Sequence, residues 1–397
     1  MKKLCLSISS MLTLATAAWA AIPTDYINPI ITAMPSVTIA PDARAAGMGD
    51  LGVATDPDLN SQHWNAAKYA FMDSHGGITA SYTPWLRKLV GDIDLAHIAG
   101  YYKWDDIQGV SGSFTYFSMG DVVMTGWDGT PLGNARPNEW SLDVAYSRKL
   151  HDYVSMAVAM RFLYSDMTNG ANYAGQQEMH AAWALAADID LFYKQPIDIP
   201  MGTSYFNLGF ALTNLGSKMS YNEGASSNFI PANMALGVGY ELPFDNYNKL
   251  TFNLQIDKLL VPSRYSRFAQ GFDADDSSTW QMSQDAYTEL NPVKGWFQSF
   301  GDAPYGALEE FKEVRWSAGL EYTYNRQFFA RAGYSHEDFI KSNRNYVTLG
   351  AGFHLSIVTL DVSYCIALAA TNPLDQTMRF TLGFDLAGIK DLVNNRK

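Results

Sequence analysis

The sequence is poor in cysteine, in long apolar runs and in positive charge. Its two cysteines are Cys5, in an apolar N-terminal stretch that we expect to be removed, and Cys365, so no intramolecular disulfide is expected. No later apolar run reaches 18 residues, which predicts that the mature chain has no transmembrane helix. The formal net charge of -12 argues against a nucleic-acid partner.

The N-terminal residues have the pattern of a secretory signal peptide. Two lysines precede an apolar run that ends in Ala18-Trp19-Ala20, a small-x-small cleavage site. We therefore predict that residues 1–20 are a signal peptide. A secreted chain with 14% aromatic residues and no helical span is typical of an outer-membrane β-barrel, and we expect the protein in the outer membrane of a Gram-negative cell.

Alternation of apolar and polar residues with a period of two predicts about 14 strands. It is clearest near the C-terminus, where Met378, Phe380 and Leu382 share one phase and Arg379 and Thr381 share the other. The charged residues of the strands fall in the polar phase, as they must if the apolar phase faces lipid. The predicted strands are 76–83, 92–103, 109–119, 138–150, 154–165, 181–194, 204–214, 233–241, 249–258, 315–325, 327–336, 345–355, 357–367 and 376–386.

The lengths of the connections favour a membrane barrel over a soluble β-sandwich. Long connections alternate with tight turns, as in barrels with long extracellular loops and short periplasmic turns. The least regular of the short connections is 195–203, which contains prolines. We predict an all-β, antiparallel transmembrane barrel over residues 76–386. Since the strand number is even, the C-terminal tail, 387–397, is expected in the periplasm.

The stretch from residue 39 to residue 71 is rich in glycine, aspartate and asparagine, which favour turns and local hydrogen bonds. It predicts a compact N-terminal plug, or hatch, over residues 21–75, in or against the barrel. We expect ion pairs to hold this plug, and a plug that moves to open a hydrophobic channel is the alternative. The candidate contacts between plug and barrel are Asp42, Arg44, Asp50, Glu321, Arg331, Asp361 and Arg379.

The connection 259–314 is too long for a turn and too aromatic for simple disorder. We expect it to cover the extracellular mouth and to offer aromatic anchors to a protein partner. A self-packed lid without a partner is the alternative. The candidate partner-binding residues are Phe272, Trp280, Tyr287, Trp296, Phe297 and Phe300, with Trp127 in an earlier loop as a weaker candidate.

The sequence predicts no metal site, no cofactor and no catalytic site. Asp273, Asp275 and Asp276 are close together but lack the glycine and the distal glutamate of a calcium loop. No G-x-S-x-G motif is present. Ser61 and His63 lie near an aspartate in the plug, but this spacing alone does not establish a catalytic triad. We therefore expect a protein that is not an enzyme.

Short stretches over nearly the whole mature chain carry a family resemblance. They are SYTPWLRKLVGDIDLAHIAGYYK at 81–103, FSMGDV at 117–122, PNE at 137–139, NFIPANMALG at 228–237, DKLLVP at 257–262, SFGDAPYGALEE at 299–310 and RAGY at 331–334. Together they resemble the PorV family, outer-membrane barrels of the type IX secretion system of Bacteroidetes. The resemblance implies a barrel that binds cargo proteins through their C-terminal secretion domains as they leave the translocon barrel. It also implies transfer of this cargo to a surface sortase-type protease, in contact with outer-membrane lipids.

The plug sequence GMGDLGVATDPDLNSQHWNAA, residues 47–67, more distantly resembles the hatch of the FadL family of 14-stranded barrels, which carry hydrophobic compounds. That family has Asn-Pro-Ala where this chain has Asn65-Ala66-Ala67. Two alternative functions follow. A FadL-like transporter of hydrophobic small molecules would be favoured by a continuous apolar path through the lumen. A lipopolysaccharide deacylase would need a serine with a histidine and a carboxylate within hydrogen-bond reach.

Overall fold

The structure is a computed structural model that describes most of the chain. The described residues are 22–23, 26–87, 90–125, 128–168, 180–222, 227–368 and 374–386. The predicted signal peptide, the predicted C-terminal tail and Trp127 lie outside these ranges. Within them, no helix has the length and apolar character needed to cross a membrane.

Fourteen antiparallel strands close into a barrel in the order of the sequence, and the last strand pairs with the first, from Gly77 opposite Asp385 to Tyr82 opposite Phe380. The predicted antiparallel 14-stranded barrel is therefore confirmed. The strands are β1 Gly76–Pro84, β2 Asp94–Lys103, β3 Gln108–Ser118, β4 Asn138–His151, β5 Val154–Asp166, β6 Ala182–Ile199, β7 Gly202–Gly216, β8 Asn233–Pro243, β9 Asn248–Leu259, β10 Val314–Tyr324, β11 Phe328–His336, β12 Tyr346–Leu355, β13 Val358–Ala367 and β14 Met378–Asp385.

The alternation in sequence corresponds to the two faces of the barrel wall. In β14, Phe380 and Leu382 each expose 38% of their surface, whereas the neighbouring Arg379 and Thr381 expose 2% and 3%. Apolar side chains therefore point outward, where a bilayer would solvate them. Polar and charged side chains point inward, where they need partners within the lumen.

The two ends of the barrel differ in their connections. One end, here called the short-turn end, carries the turns 104–107, 152–153, 200–201, 244–247, 325–327 and 356–357. The other, the long-loop end, carries the longer connections. The turn expected at 195–203 is shorter than predicted, because β6 continues past Lys194 to Ile199 and pairs with β7 until Gly202.

The N-terminal segment, residues 26–72, runs through the lumen from the long-loop end to the short-turn end. Near its start the backbone N–H of Ala33 donates to the carbonyl of Phe229 at 2.8 Å. At its end Lys103 Nζ donates to the carbonyl of Met72 at 2.7 Å. The segment contains 3-10 turns at Pro35–Thr38 and Ala66–Phe71 and two short helices, α1 Ala43–Ala46 and α2 Ser61–Trp64.

The connection 260–313 at the long-loop end is a folded cap. It contains a 3-10 turn at Ser277–Thr279 and three short helices: α3 Gln284–Glu289, α4 Pro292–Gln298 and α5 Ala307–Lys312. Val261, Ala269, Met282 and Tyr287 form a small apolar core with Phe229 from the preceding connection. Smaller pairs of strands, Val122–Thr125 with Pro131–Ala135 and Met219–Ser220 with Ser227–Asn228, form within other connections at this end.

Candidate functional site

Arg44 joins the N-terminal segment to the barrel wall through a chain of buried ion pairs. Its guanidinium lies 2.9 Å from Glu321 and 2.8 Å from Asp58. Glu321 in turn lies 2.6 Å from Arg331, which lies 2.6 Å from Asp361. Positive and negative groups alternate along this chain, so each buried charge has an opposite charge beside it.

The other three candidate contacts are arranged differently. Asp50 accepts a hydrogen bond from Tyr346 at 2.7 Å and lies 3.6 Å from Arg379. Among the described residues, Asp42 forms no ion pair with a charge of the wall. Its carboxylate caps α1 and accepts a hydrogen bond from Trp64 Nε1 at 2.7 Å. It therefore holds the local fold of the segment, which in turn positions Arg44.

Two buried cations were not singled out from the sequence. Arg161 in β5 pairs with Asp143 at 2.5 Å and with Asp188 at 3.0 Å. The strand register could have indicated this network, because Asp143 lies directly opposite Arg161. Lys68 is fully buried within the N-terminal segment and donates to the carbonyl of Gly52 at 2.8 Å. No sequence pattern marks Lys68 as an internal residue.

Glycines of the barrel wall allow the N-terminal segment to pack with backbone against backbone. A Cβ atom at Gly333 would lie less than 3.0 Å from backbone atoms of Met48, and one at Gly209 would meet Val53 in the same way. Real Cβ atoms do not make such contacts. The segment therefore fills the middle of the lumen.

Two of the cavities formed by the described residues lie in the lumen, and charged side chains line both. The first, of about 160 Å³, lies toward the long-loop end and is lined by Arg161, Arg315 and Glu337 among others. The second, of about 770 Å³, lies toward the short-turn end, where Lys194 and Glu241 contribute to its lining. Neither cavity offers the continuous apolar path that would favour a transporter of hydrophobic molecules.

The candidate aromatic anchors of the connection 260–313 differ in how much of their surface is exposed. Trp280 and Tyr287 expose only 4% and 1% of their surface. Trp280 packs edge-to-face on Tyr305, so it stabilises the cap and is not available to a partner. Phe272 and Trp296 are half-buried. Phe297 and Phe300 are exposed, and Trp127 lies outside the described residues.

Helix α4 presents an exposed apolar ridge. Val293 and Phe297 are four residues apart and so share one face of the helix. They expose 50% and 74% of their surface. On the opposite face, Gly295 packs against Phe229 and Pro262, which fixes the orientation of the helix. Val293 and Phe297 are here called the α4 ridge, and Val293 was not among the sequence-based candidates.

A group of carboxylates with two lysines lies beneath α5. Lys258 Nζ is 2.6 Å from Glu313 and 3.2 Å from Glu310. Lys341 Nζ is 2.7 Å from Glu309 and 2.9 Å from Glu313. Within the described residues, Asp302 forms no ion pair, although it is fully buried and accepts a hydrogen bond from the backbone of Ser263. The lysines therefore neutralise part of this network, but neither forms a direct ion pair with Asp302.

The stability of the cap is expected to fall as the pH rises, because of Asp302. Burial, together with the negative charges of Glu313 and Glu310, raises the pKa of Asp302 to about 8. The pKa of this carboxyl is near 4 in the unfolded chain and about 8 in the folded cap. The stability that protonated Asp302 contributes is therefore complete below pH 4 and is lost as the pH rises through about 8. Each pH unit between these two pKa values costs about 1.4 kcal/mol, so we expect a loss on the order of 4 kcal/mol between pH 5 and pH 8.5.

Hydrogen–deuterium exchange of residues 260–313 at these two pH values measures this loss. In D302N the amide replaces the neutral acid, so protection should change much less between the two pH values. An equal loss of protection in the wild type and in D302N would show that another group is responsible.

Comparison with protein families identifies the kind of barrel. A family model described as "Type IX secretion system protein PorV" matches residues 23–266, more than half of the chain. The chain belongs to the PorV family. This match confirms the family indicated by the sequence motifs, and it supports a type IX secretion outer-membrane barrel. No curated protein matches the chain.

Solved structures resemble this PorV-family chain in fold. The TodX deltaS2S3 mutant monoaromatic hydrocarbon channel has a TM-score of 0.50 and 10% identity, over 87% of this chain and 99% of that chain. The Ralstonia pickettii toluene transporter TbuX has a TM-score of 0.47 and 10% identity, over 89% of this chain and 99% of that chain. A Pseudomonas aeruginosa FadL homologue has a TM-score of 0.43 and 10% identity, over 90% of this chain and 99% of that chain. At 10% identity the likeness to the TodX mutant shows the fold alone.

The residues considered for catalysis are not arranged as a triad in this PorV-family barrel. Ser61 Oγ donates to Asp58 at 2.9 Å. His63 instead lies against the rings of Trp64 and His97, and no hydrogen bond among the described residues joins it to Ser61. Asp276, one of the three aspartates considered for a calcium site, is exposed. It caps the 3-10 turn that follows it by accepting a hydrogen bond from the backbone N–H of Ser278.

Proposed function

We propose that this PorV-family barrel lies in the outer membrane and acts as a docking protein of type IX secretion. It binds cargo proteins through their C-terminal secretion domains as they leave the translocon barrel, and it passes them to a sortase-type protease complex at the cell surface. The family match supports the secretion role. The exposed apolar face of the barrel wall supports the membrane location.

The observation that carries the docking proposal is the α4 ridge at the end of a filled barrel. The N-terminal segment occupies the lumen, and charged groups line the two lumen cavities, so we place recognition on the outer surface of the cap. Exposed aromatic side chains on a folded support are typical anchors of protein interfaces. The buried core around Tyr287 keeps the ridge fixed, so little conformational entropy is lost on binding.

Serine substitutions on the ridge, V293S and F297S together, test the docking surface. Loss of central anchors costs about 2 kcal/mol or more, which corresponds to a dissociation constant about thirtyfold higher. Binding is measured by biolayer interferometry, with the barrel in nanodiscs and the C-terminal domain of a protein secreted by the same cell in solution.

The matched control is the double variant F244S and Y247S. These side chains expose 46% and 61% of their surface, but they lie in the turn between β8 and β9 at the short-turn end. This variant should bind as the wild type does. If the ridge variant also bound with unchanged affinity, the α4 ridge would not be the docking surface.

A further inference from the structure

An apolar pocket lies outside the barrel, between its wall and the overhanging helix α5. Its volume is about 570 Å³, within the range of small-molecule sites. The strands β7, β8 and β9 form one wall, and the residues from Phe300 to Phe311 form the other. Its apolar lining includes Phe210, Leu236, Ile256, Phe300, Ala307 and Phe311.

The wall of this pocket continues the surface that faces lipid. Leu236 and Ile256 lie opposite each other in adjacent strands and expose 45% and 46% of their surface. Below them, Leu254 points outward in the same phase and is exposed. Because Leu236 follows the start of β8 by three residues, the pocket lies about 10 Å below the long-loop end of that strand. The pocket therefore lies near the long-loop edge of the outward-facing apolar surface of the barrel.

A free positive charge lies at the rim of the pocket. The guanidinium of Arg267 lies beside Gly306 at the start of α5, close enough for a Cβ there to be 3.2 Å from Nη2. Arg267 is exposed, and no carboxylate of the described residues forms an ion pair with it. The other cationic residue of the pocket, Lys258, is already paired with Glu310 and Glu313.

We propose that this pocket binds a phosphate-bearing lipid of the outer leaflet, with an acyl chain between α5 and the wall and the phosphate on Arg267. An apolar side chain such as Phe311, which exposes 74% of its surface, is then covered by the lipid. Arginine binds phosphate through two parallel hydrogen bonds, which suits a headgroup better than the backbone of a peptide. The proposal rests on the proposed membrane location but is independent of the α4 ridge.

Native mass spectrometry of the full mature chain, released from nanodiscs of phosphatidylglycerol and phosphatidylcholine, tests the site. The wild type should retain one phospholipid molecule of either kind, because both lipids carry a phosphate. R267Q should bind it about tenfold more weakly, as expected for the loss of charge-assisted hydrogen bonds. A307W places a large side chain in the pocket from an exposed position and should exclude both lipids.

The matched controls are K294Q and A274W, which change an exposed lysine and an exposed alanine of the same cap outside the pocket. Both should retain lipid as the wild type does. A wild-type protein released without lipid would overturn the proposal. So would lipid retention by R267Q and A307W equal to that of their controls, or an effect of A307W on cargo-domain binding alone, which would mark the pocket as a protein contact.

Discussion

Replacing Arg161 with methionine is expected to lower the free energy of unfolding by about 3–5 kcal/mol. Methionine keeps much of the side-chain volume but leaves the carboxylates of Asp143 and Asp188 without their shared cation. Both carboxylates and the guanidinium expose only 4% of their side-chain surface. The cost is that of two buried carboxylates left without their ion-pair partner. Urea unfolding in lipid vesicles, followed by tryptophan fluorescence, measures it.

R136M is the matched control for this prediction. Arg136 also pairs with an aspartate, Asp121 at 2.8 Å, but both side chains are more than half exposed. Exposed ion pairs contribute about 0–1 kcal/mol, so this variant should unfold almost as the wild type does. Adding D143N and D188N to R161M should recover much of the stability. Equal stability of R161M and R136M would show that the lumen network does not stabilise the barrel.

The substitution G333A is expected to displace the N-terminal segment from its position in the lumen. The added Cβ would meet the backbone of Met48 and Gly49, and backbone cannot move aside as the end of a flexible side chain can. Overpacking of this kind costs about 1–3 kcal/mol or more. We expect a lower free energy of unfolding together with faster proteolysis within residues 26–72.

The control for this substitution is G91A. A Cβ atom at Gly91 would have no atom within 4 Å, and Gly91 lies outside the strands. G91A should therefore resist urea and protease as the wild type does. If G333A were equally resistant, the close packing of Met48 on β11 would not fix the segment.

The strands could be predicted because their signal is local. Each barrel strand has one face toward the lumen and one toward an apolar surface, so the two phases of its sequence separate clearly, as Phe380 and Arg379 show. The lengths of the segments between the predicted strands also predicted that long connections alternate with tight turns. The error at β6 has a physical reason: Pro196 suggested a turn, but it pairs with Tyr205 within the strand.

The positions of individual side chains in the cap and in the N-terminal segment could not be predicted in the same way. Trp280 and Phe297 are both aromatic residues of one long connection, yet one is buried and the other exposed. Their difference depends on contacts with distant residues, such as Tyr26 and Tyr305, that no local period encodes. For the same reason the sequence placed Asp42 among the wall contacts, although it caps α1.

The family was predictable from motifs, whereas the docking surface required the structure. Motifs such as SFGDAPYGALEE resemble a family but do not say which of their residues are exposed. The structure shows that Phe300 and Phe311 lie at the surface, whereas Glu309 is buried and accepts a hydrogen bond from Asn28. The proposed surfaces on α4 and beside α5 follow from these exposures.

The most direct test of the docking account is affinity purification of the tagged protein from its native outer membrane in mild detergent, with mass spectrometry of the proteins and lipids that accompany it. The account predicts recovery of a very large barrel, a sortase-type protease or cargo proteins that share one C-terminal domain. Recovery of the barrel alone, carrying fatty acid in its lumen, would contradict the docking role and favour a transporter of hydrophobic molecules.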